Sequence, residues 1–150
     1  IAFRVVGDGS FRMDELGIRG LPWRRDTELD DLRAMDIGIM PLPDDEWARG
    51  KCGLKGLQYM ALGIPTLMSP VGVNTEIIRH GVNGFLPRNE EEWVEQVSRL
   101  VEDADLRAGI GAEARLTVED RYSVNAWRDA YLQVFNSLLD PPAKQPTQNA

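Results

Sequence analysis

Short apolar runs alternate with amphipathic segments over the first 86 residues. The apolar runs predict strands at residues 5–6, 18–23, 36–42 and 65–69. Between them, polar caps and three-residue apolar spacing predict helices that begin after Thr27, at residue 53 and at Asn74, with Gly63 just past the end of the second. Residues 41–49, which carry prolines and consecutive acids, are predicted to be an exposed loop. Such strand–helix units with short links predict an α/β fold, a parallel sheet flanked by helices.

The pattern in the last third of the sequence predicts only helices. One apolar stripe runs from Trp93 to Val101, and a second, capped by Ser123, carries Trp127, Tyr131 and Phe135, which we expect to pack in the core. Residues 140–150 are proline-rich and poor in apolar side chains, so they predict a disordered tail behind one domain of residues 1–139. The chain starts within a strand pattern and without methionine, and we interpret it as a fragment truncated at its N-terminus.

The amino-acid composition excludes several classes of function. The net charge of -7 opposes binding to phosphate backbones, so we expect no nucleic-acid partner. One cysteine and one histidine exclude a disulfide and a cysteine- or histidine-rich metal site, and they favour a cytoplasmic setting. No apolar run approaches the roughly 20 residues that a membrane-spanning helix needs.

The strongest chemical signal lies at a predicted helix start. Residues 49–55 combine three cations, Arg49, Lys51 and Lys55, with two glycines. Exposed N–H groups, the helix dipole and nearby ammonium groups together favour an anion, and glycine lets the backbone approach it closely. The segment therefore predicts a phosphate or diphosphate site. The alternative is a set of solvated cations near a helix start.

An ordered series of motifs resembles a known family. Residues 51–65, then 69–72 with Glu76, then 80–86 are similar to the donor-binding domain of group 1 glycosyltransferases, the family 4 type with a GT-B fold. The resemblance covers about residues 1–139 and implies a Rossmann-like sheet followed by C-terminal helices. It also implies a hexosyltransferase that uses a nucleotide-diphosphate sugar as donor, retains anomeric configuration and needs neither a metal nor a cofactor.

The resemblance further implies an N-terminal domain that holds the acceptor, a sugar, lipid or protein, and that is missing here. The isolated chain is then expected to be inactive, and the full-length protein to be cytoplasmic, with the missing domain as a possible route to a membrane surface. In the family the final helix often crosses back to that domain.

Site residues follow from the same resemblance. The diphosphate is expected at Lys51, Gly53, Leu54 and Lys55, and the ribose at Gln58. The remaining donor contacts are expected in loops, at Gly7, Asp8, Gly9, Leu21, Pro22, Trp23, Gly50, Val71 and Gly72. Of these, the segment from Leu21 to Trp23 is expected beside the base.

Two positions depart from the family pattern. The usual pair of glutamates, one for the transferred sugar and one for the ribose, falls on Gly50 and Gln58. Glutamine can still hydrogen-bond a ribose diol, and Glu46 or Asp45 is our candidate for the missing sugar contact. A degenerate module that binds a nucleotide-sugar or a protein without transfer remains the alternative, with an NAD-linked enzyme as a more distant one. His80 is expected to be structural.

Overall fold

The computed structural model describes residues 1–139; the predicted disordered tail, residues 140–150, lies outside the described residues. The strands are β1 (Val5–Gly7), β2 (Arg12–Met13), β3 (Ile18–Pro22), β4 (Gly38–Met40) and β5 (Thr66–Met68). The helices are α1 (Glu28–Arg33), α2 (Glu46–Arg49), α3 (Leu54–Ala61), α4 (Asn74–Ile77), α5 (Glu90–Glu102), α6 (Ala104–Arg121) and α7 (Val124–Leu139). The α/β fold predicted from the sequence is confirmed.

The strands form two sheets. In the first, β3 lies between β1 and β2, parallel to β1 and antiparallel to β2. The second pairs β4 with β5 in parallel, and Phe85 extends it by bridging to Leu67. The sequence did not predict β2 or its antiparallel pairing. The connection from β1 to β3 thus contains β2, which forms a short hairpin with β3, in place of the crossover helix of a standard strand–helix unit.

The core lies around the second sheet. One cluster joins Met60 of α3 and Met68 of β5 to Ile77, Ile78 and Ala114, and another joins Leu67 and Phe85 to Leu100 and Ile110. Every residue of β5 is buried, as expected for a parallel strand covered on both faces. The helices α3, α5 and α6 pack around this sheet, and the loops that follow β4 and β5 begin at the carboxyl ends of its strands.

Several local predictions need correction. The segment predicted as a loop at 41–49 contains α2, which is capped by the Asp45 side chain accepting from the Ala48 N–H at 2.7 Å. Asn74 does not cap α4, because it is the first helical residue, 1% exposed, and its amide donates to the Ser69 carbonyl oxygen at 3.0 Å. Ser123 does cap α7, accepting from the Ala126 N–H at 3.1 Å.

The final helix does not pack into the core. No residue of α7 is buried, and Trp127, Tyr131 and Phe135 are all more than half exposed, so the predicted core position of these aromatics is wrong. The helix is amphipathic, but in the described part of the chain little covers its apolar side. Within residues 1–139, no helix is both long and apolar enough to cross a membrane.

Candidate functional site

The junction before α3 is fixed by a single glycine. Gly53 has φ 70°, in the left-handed region, and it is the N-cap residue of α3. A Cβ at this position would come within 2.5 Å of Ile77 Cδ1 and 3.3 Å of Asn74 Oδ1. Glycine is therefore required both by the backbone conformation and by the close approach of α4. The chain therefore turns sharply at Gly53, between Lys51 and the first turn of α3, which contains Lys55.

The loops after β4 and β5 lie against each other at the carboxyl ends of these two parallel strands. The Ser69 hydroxyl oxygen accepts from the Leu42 N–H at 2.8 Å. Further along, Gly72 has φ 54°, and a Cβ there would lie 2.6 Å from the Arg49 carbonyl oxygen. The structure thus brings together the two predicted loop groups, residues 50–55 and residues 71–72.

Two clefts open at this edge. One, of about 660 Å³, is lined by Asp45, Glu46, Trp47, Gly50 and Lys51. The other, of about 540 Å³, is lined by residues 41–42, 44, 69–71, 87–90 and 93, which include the predicted Val71. The side chains of Trp23, Lys55 and Gln58 line neither cleft. The predicted site is therefore spread over an open surface, in the place where ligands bind to open α/β sheets.

Asp45 and Glu46, the two candidates for the missing sugar contact, are not equivalent. The Asp45 carboxylate is engaged in capping α2, whereas Glu46 is exposed and lines the larger cleft. Trp47 lies beside them on the same cleft and is 81% exposed. Of the two carboxylates, Glu46 is the one free to meet a ligand.

Two of the three predicted cations are paired with carboxylates. Arg49 Nε donates to Asp44 Oδ1 at 2.7 Å, a contact that lowers the pKa of Asp44 and raises the pKa of Arg49. Lys55 Nζ lies 3.3 Å from Glu28 Oε1. Lys51 makes no ion pair within the described residues and is exposed. Within the described residues, the predicted diphosphate site therefore has one unpaired ammonium group, that of Lys51, and one that pairs with a carboxylate, that of Lys55.

The glycine turn and the end of β3 form a second group. Gly7 is opposite Pro22 in the β1–β3 register, and a Cβ on Gly9 would lie 3.2 Å from Pro22 Cβ. Asp8 accepts from the Ser10 N–H at 2.8 Å and from its hydroxyl at 2.6 Å, and these bonds lower the pKa of Asp8. The Asp8 side chain is thus used to close the turn.

Sequence reasoning missed Glu28, which contacts both the start of α3 and Trp23, the residue just past the end of β3. Its Oε1 accepts from Gln58 Nε2 at 3.1 Å and faces the Lys55 ammonium. The pKa of Glu28 is lowered, first by the Trp23 side chain and then by Gln58 and Lys55. Because the folded pKa lies below the ordinary value of 4.5, the carboxylate is ionised at neutral pH. Contacts that need its charge are lost only as the pH falls through that lowered pKa.

Nothing in the local sequence distinguishes Glu28. An acidic residue just after an N-cap is favoured by the helix dipole alone, and α1 carries two more acids in its first turn. Only the tertiary fold brings Glu28 to Lys55 and Gln58 of α3.

His80, predicted to be structural, has local partners in the fold. Its Nδ1 accepts from the Leu86 N–H at 3.1 Å, and its ring meets Phe85 edge-on with ring centroids 5.6 Å apart. These contacts tie the residue to the chain that extends the second sheet, and His80 lines neither of the clefts described above.

Comparison with known proteins gives consistent results. Residues 1–103 match the profile of the Glycosyl transferases group 1 family. Over 73 residues the chain is 37% identical to an uncharacterized glycosyltransferase of Methanocaldococcus jannaschii, a match that covers 47% of this chain and 19% of that protein. The chain spans about a fifth of the length of the curated relatives it matches.

Solved structures agree at the level of the fold. The Anabaena protein HepE in complex with UDP-glucose is 21% identical, with a TM-score of 0.65 over 89% of this chain and 40% of that one. The C-terminal domain of a group 1 glycosyl transferase (LpcC) from Francisella tularensis is 23% identical, with a TM-score of 0.59 over 73% of this chain and 56% of that one. The chain belongs to the group 1 glycosyl transferases and has the fold of their GT-B members.

Proposed function

We propose that this chain binds a nucleotide-diphosphate sugar and that the full-length protein transfers the sugar with retention of configuration. The observation that carries the proposal is the start of α3, where Gly53 turns the backbone into the helix between Lys51 and Lys55. A helix N-terminus with two ammonium groups is suited to a diphosphate. The complex of the similarly folded HepE with UDP-glucose supports the same class of ligand.

The proposed chemistry is electrostatic. As the bond to the sugar breaks, negative charge grows on the leaving diphosphate, and the helix dipole with Lys51 and Lys55 would stabilise it without a metal ion. Gly53 and Leu54 would contribute backbone N–H groups. Glu46, on the cleft beside Gly50, would contact the transferred sugar, for which a hexose is our expectation.

The proposed site is extended by the loops. The end of β3, from Leu21 to Trp23, would lie beside the base, with the turn of Gly7, Asp8 and Gly9 next to it. Val71 and Gly72 would form the wall next to Gly50.

The remaining parts of the reaction are proposed for the full-length protein. An N-terminal domain would hold the acceptor and could bring the protein to a membrane surface, and α7 would pack against that domain through its exposed aromatics. The location would be cytoplasmic. By itself the chain would bind donor without transferring sugar.

A second candidate is a binding module without transfer. It is favoured by one observation, that Gly50 and Gln58 stand where the family carries glutamates. In that case the nucleotide-sugar would bind as a signal or as a structural ligand.

Turnover by the full-length protein separates the two candidates. The assay measures release of nucleoside diphosphate from uridine, guanosine and adenosine diphosphate hexoses, with sugar, lipid and peptide acceptors. Acceptor-dependent release with at least one donor is expected. Glu46→Gln should lower kcat by about 10-fold or more if it contacts the sugar, and Glu95→Gln, an exposed carboxylate of α5, is the matched control. Binding without release across the panel would support the non-catalytic module instead.

A further inference from the structure

We propose that the Glu28 carboxylate recognises the ribose hydroxyls of the donor nucleotide and that Gln58 serves to hold Glu28 in place. The inference rests on the proposed function, because it assigns a group within the same nucleotide site. It changes the role expected for Gln58 from a ligand contact to a positioning residue.

The Gln58 amide has little hydrogen-bonding capacity that a ligand can reach. Its Nε2 donates to Glu28 Oε1 at 3.1 Å. Its Oε1 is buried, with no hydrogen-bond partner within residues 1–139, and has almost no accessible surface. A ribose hydroxyl could not reach that oxygen without displacing the side chain. The polar group at this position that a ligand can reach is therefore the carboxylate to which Gln58 is bound.

Glu28 has both the access and the capacity that Gln58 lacks. Its side chain is 21% exposed, and an ionised carboxylate offers about four acceptor sites on its two oxygens. The contacts from Gln58 and Lys55 both reach Oε1, so capacity remains for hydroxyl donors. A carboxylate is the usual partner of ribose hydroxyls at the edge of dinucleotide-binding sheets.

The groups that contact Glu28 match the parts of a nucleoside diphosphate on either side of the ribose. Trp23, which is 50% exposed, offers an aromatic face to a base. Lys55, whose side chain is 49% exposed, offers an ammonium group to phosphate oxygens. The ribose joins the base to the diphosphate, and the carboxylate that contacts both the aromatic residue and the cation is suited to its hydroxyls.

The competing interpretation is a purely structural clamp. Glu28 joins α1 to α3 through Lys55 and Gln58, and removing it would loosen the site for any nucleotide. The two interpretations differ in one measurable quantity. A hydroxyl acceptor changes the preference for ribose over deoxyribose, whereas a clamp changes the affinity for both sugars by the same factor.

The test is a calorimetric titration of the full-length protein with nucleoside diphosphates and their 2′-deoxy counterparts, with UDP and dUDP, GDP and dGDP, and ADP and dADP as the probes. We expect the wild type to prefer the ribose form of its nucleotide by about 10-fold. Glu28→Gln should bring that preference close to unity. Asp30→Asn, which removes an exposed carboxylate of the same helix, should leave it unchanged.

A second variant keeps the proposal testable if Glu28→Gln fails to fold. The exchange Glu28→Gln with Gln58→Glu retains one amide and one carboxylate in contact, and it should keep a preference for ribose of at least about 3-fold. Loss of preference in the folded double variant would contradict the proposal. So would a Glu28→Gln protein that keeps the wild-type preference, or that loses affinity for both sugars equally.

The wild type alone separates this inference from the proposed function. Tight binding with equal affinity for the ribose and deoxyribose forms would overturn the role of Glu28 and leave nucleotide binding intact. Absence of binding to every diphosphate would overturn both.

Discussion

At the residue level, Gly53 is the position where the start of α3 is most sensitive to substitution. Gly53→Ala should destabilise the protein by about 1–3 kcal/mol, since alanine is strained at positive φ and its Cβ would meet Ile77. Chemical denaturation measures this effect as a lower midpoint. The same change should weaken binding of a nucleoside diphosphate, because the first turn of α3 would shift.

Gly109→Ala provides the matched control for that prediction. Gly109 is an exposed residue of α6 with open space around its Cβ direction and no positive φ. Alanine in a helix interior should stabilise the protein by roughly 0.5–1 kcal/mol relative to glycine. If both substitutions shifted the midpoint in the same direction, the special role of Gly53 would be wrong.

At the residue scale, the sequence predicted backbone conformations that depend on neighbouring residues. It did not predict side-chain contacts that depend on how distant elements pack. Gly63 was expected just past the end of α3, and the structure has it there with a positive φ of 72°. Glu28 could not be found in this way, because its partners are about 30 residues away along the chain and its own context is an ordinary helix start.

At the level of elements, Asn83 ties the segment after α4 to α6. Its side chain accepts from the Arg79 N–H at 2.7 Å and donates to the Ile77 carbonyl oxygen and to Thr117 Oγ1. Asn83 is fully buried, so Asn83→Ala should cost about 2–3 kcal/mol or more by leaving partners unpaired. Thermal unfolding checks this, with Asn136→Ala on the exposed face of α7 as a control. A change of under about 0.5 kcal/mol would contradict it.

The helix α6 shows why element prediction from apolar spacing was incomplete. The sequence predicts helix through the last third but no apolar stripe for residues 104–121. The buried face of α6 is built from Ile110, Gly111, Ala114 and Thr117, which are mostly small. Small residues are needed there because α6 approaches the chain around Gly63 so closely that a Cβ on Gly111 would collide with the Gly63 carbonyl oxygen. Close backbone packing of this kind leaves no strong hydrophobic pattern.

At the level of the whole molecule, the described residues leave the apolar side of α7 exposed. Phe135 is 59% exposed here. If the N-terminal domain proposed above covers α7, Phe135→Gln should lower the free energy of unfolding of the full-length protein by about 2 kcal/mol or more, as for a buried aromatic. If the helix stays exposed, the change should remain within about 0.5 kcal/mol. We expect the larger effect.

The polar residue Gln133 on the same helix is the control for the α7 prediction. It is exposed, and Gln133→Ala should leave the stability of the full-length protein within about 0.5 kcal/mol of wild type. Equal effects from Phe135→Gln and Gln133→Ala would contradict a packed α7.

The start of α3 is the proposed diphosphate site, and the preference of the protein for nucleoside diphosphate over monophosphate tests it directly. Calorimetric titration of the full-length protein with UDP and UMP, GDP and GMP, and ADP and AMP measures it. We expect the wild type to bind one diphosphate about 10-fold or more tighter than its monophosphate, and Lys55→Ala to remove most of this difference. Equal affinity for diphosphate and monophosphate in the wild type, or a preference that survives in Lys55→Ala, would contradict it.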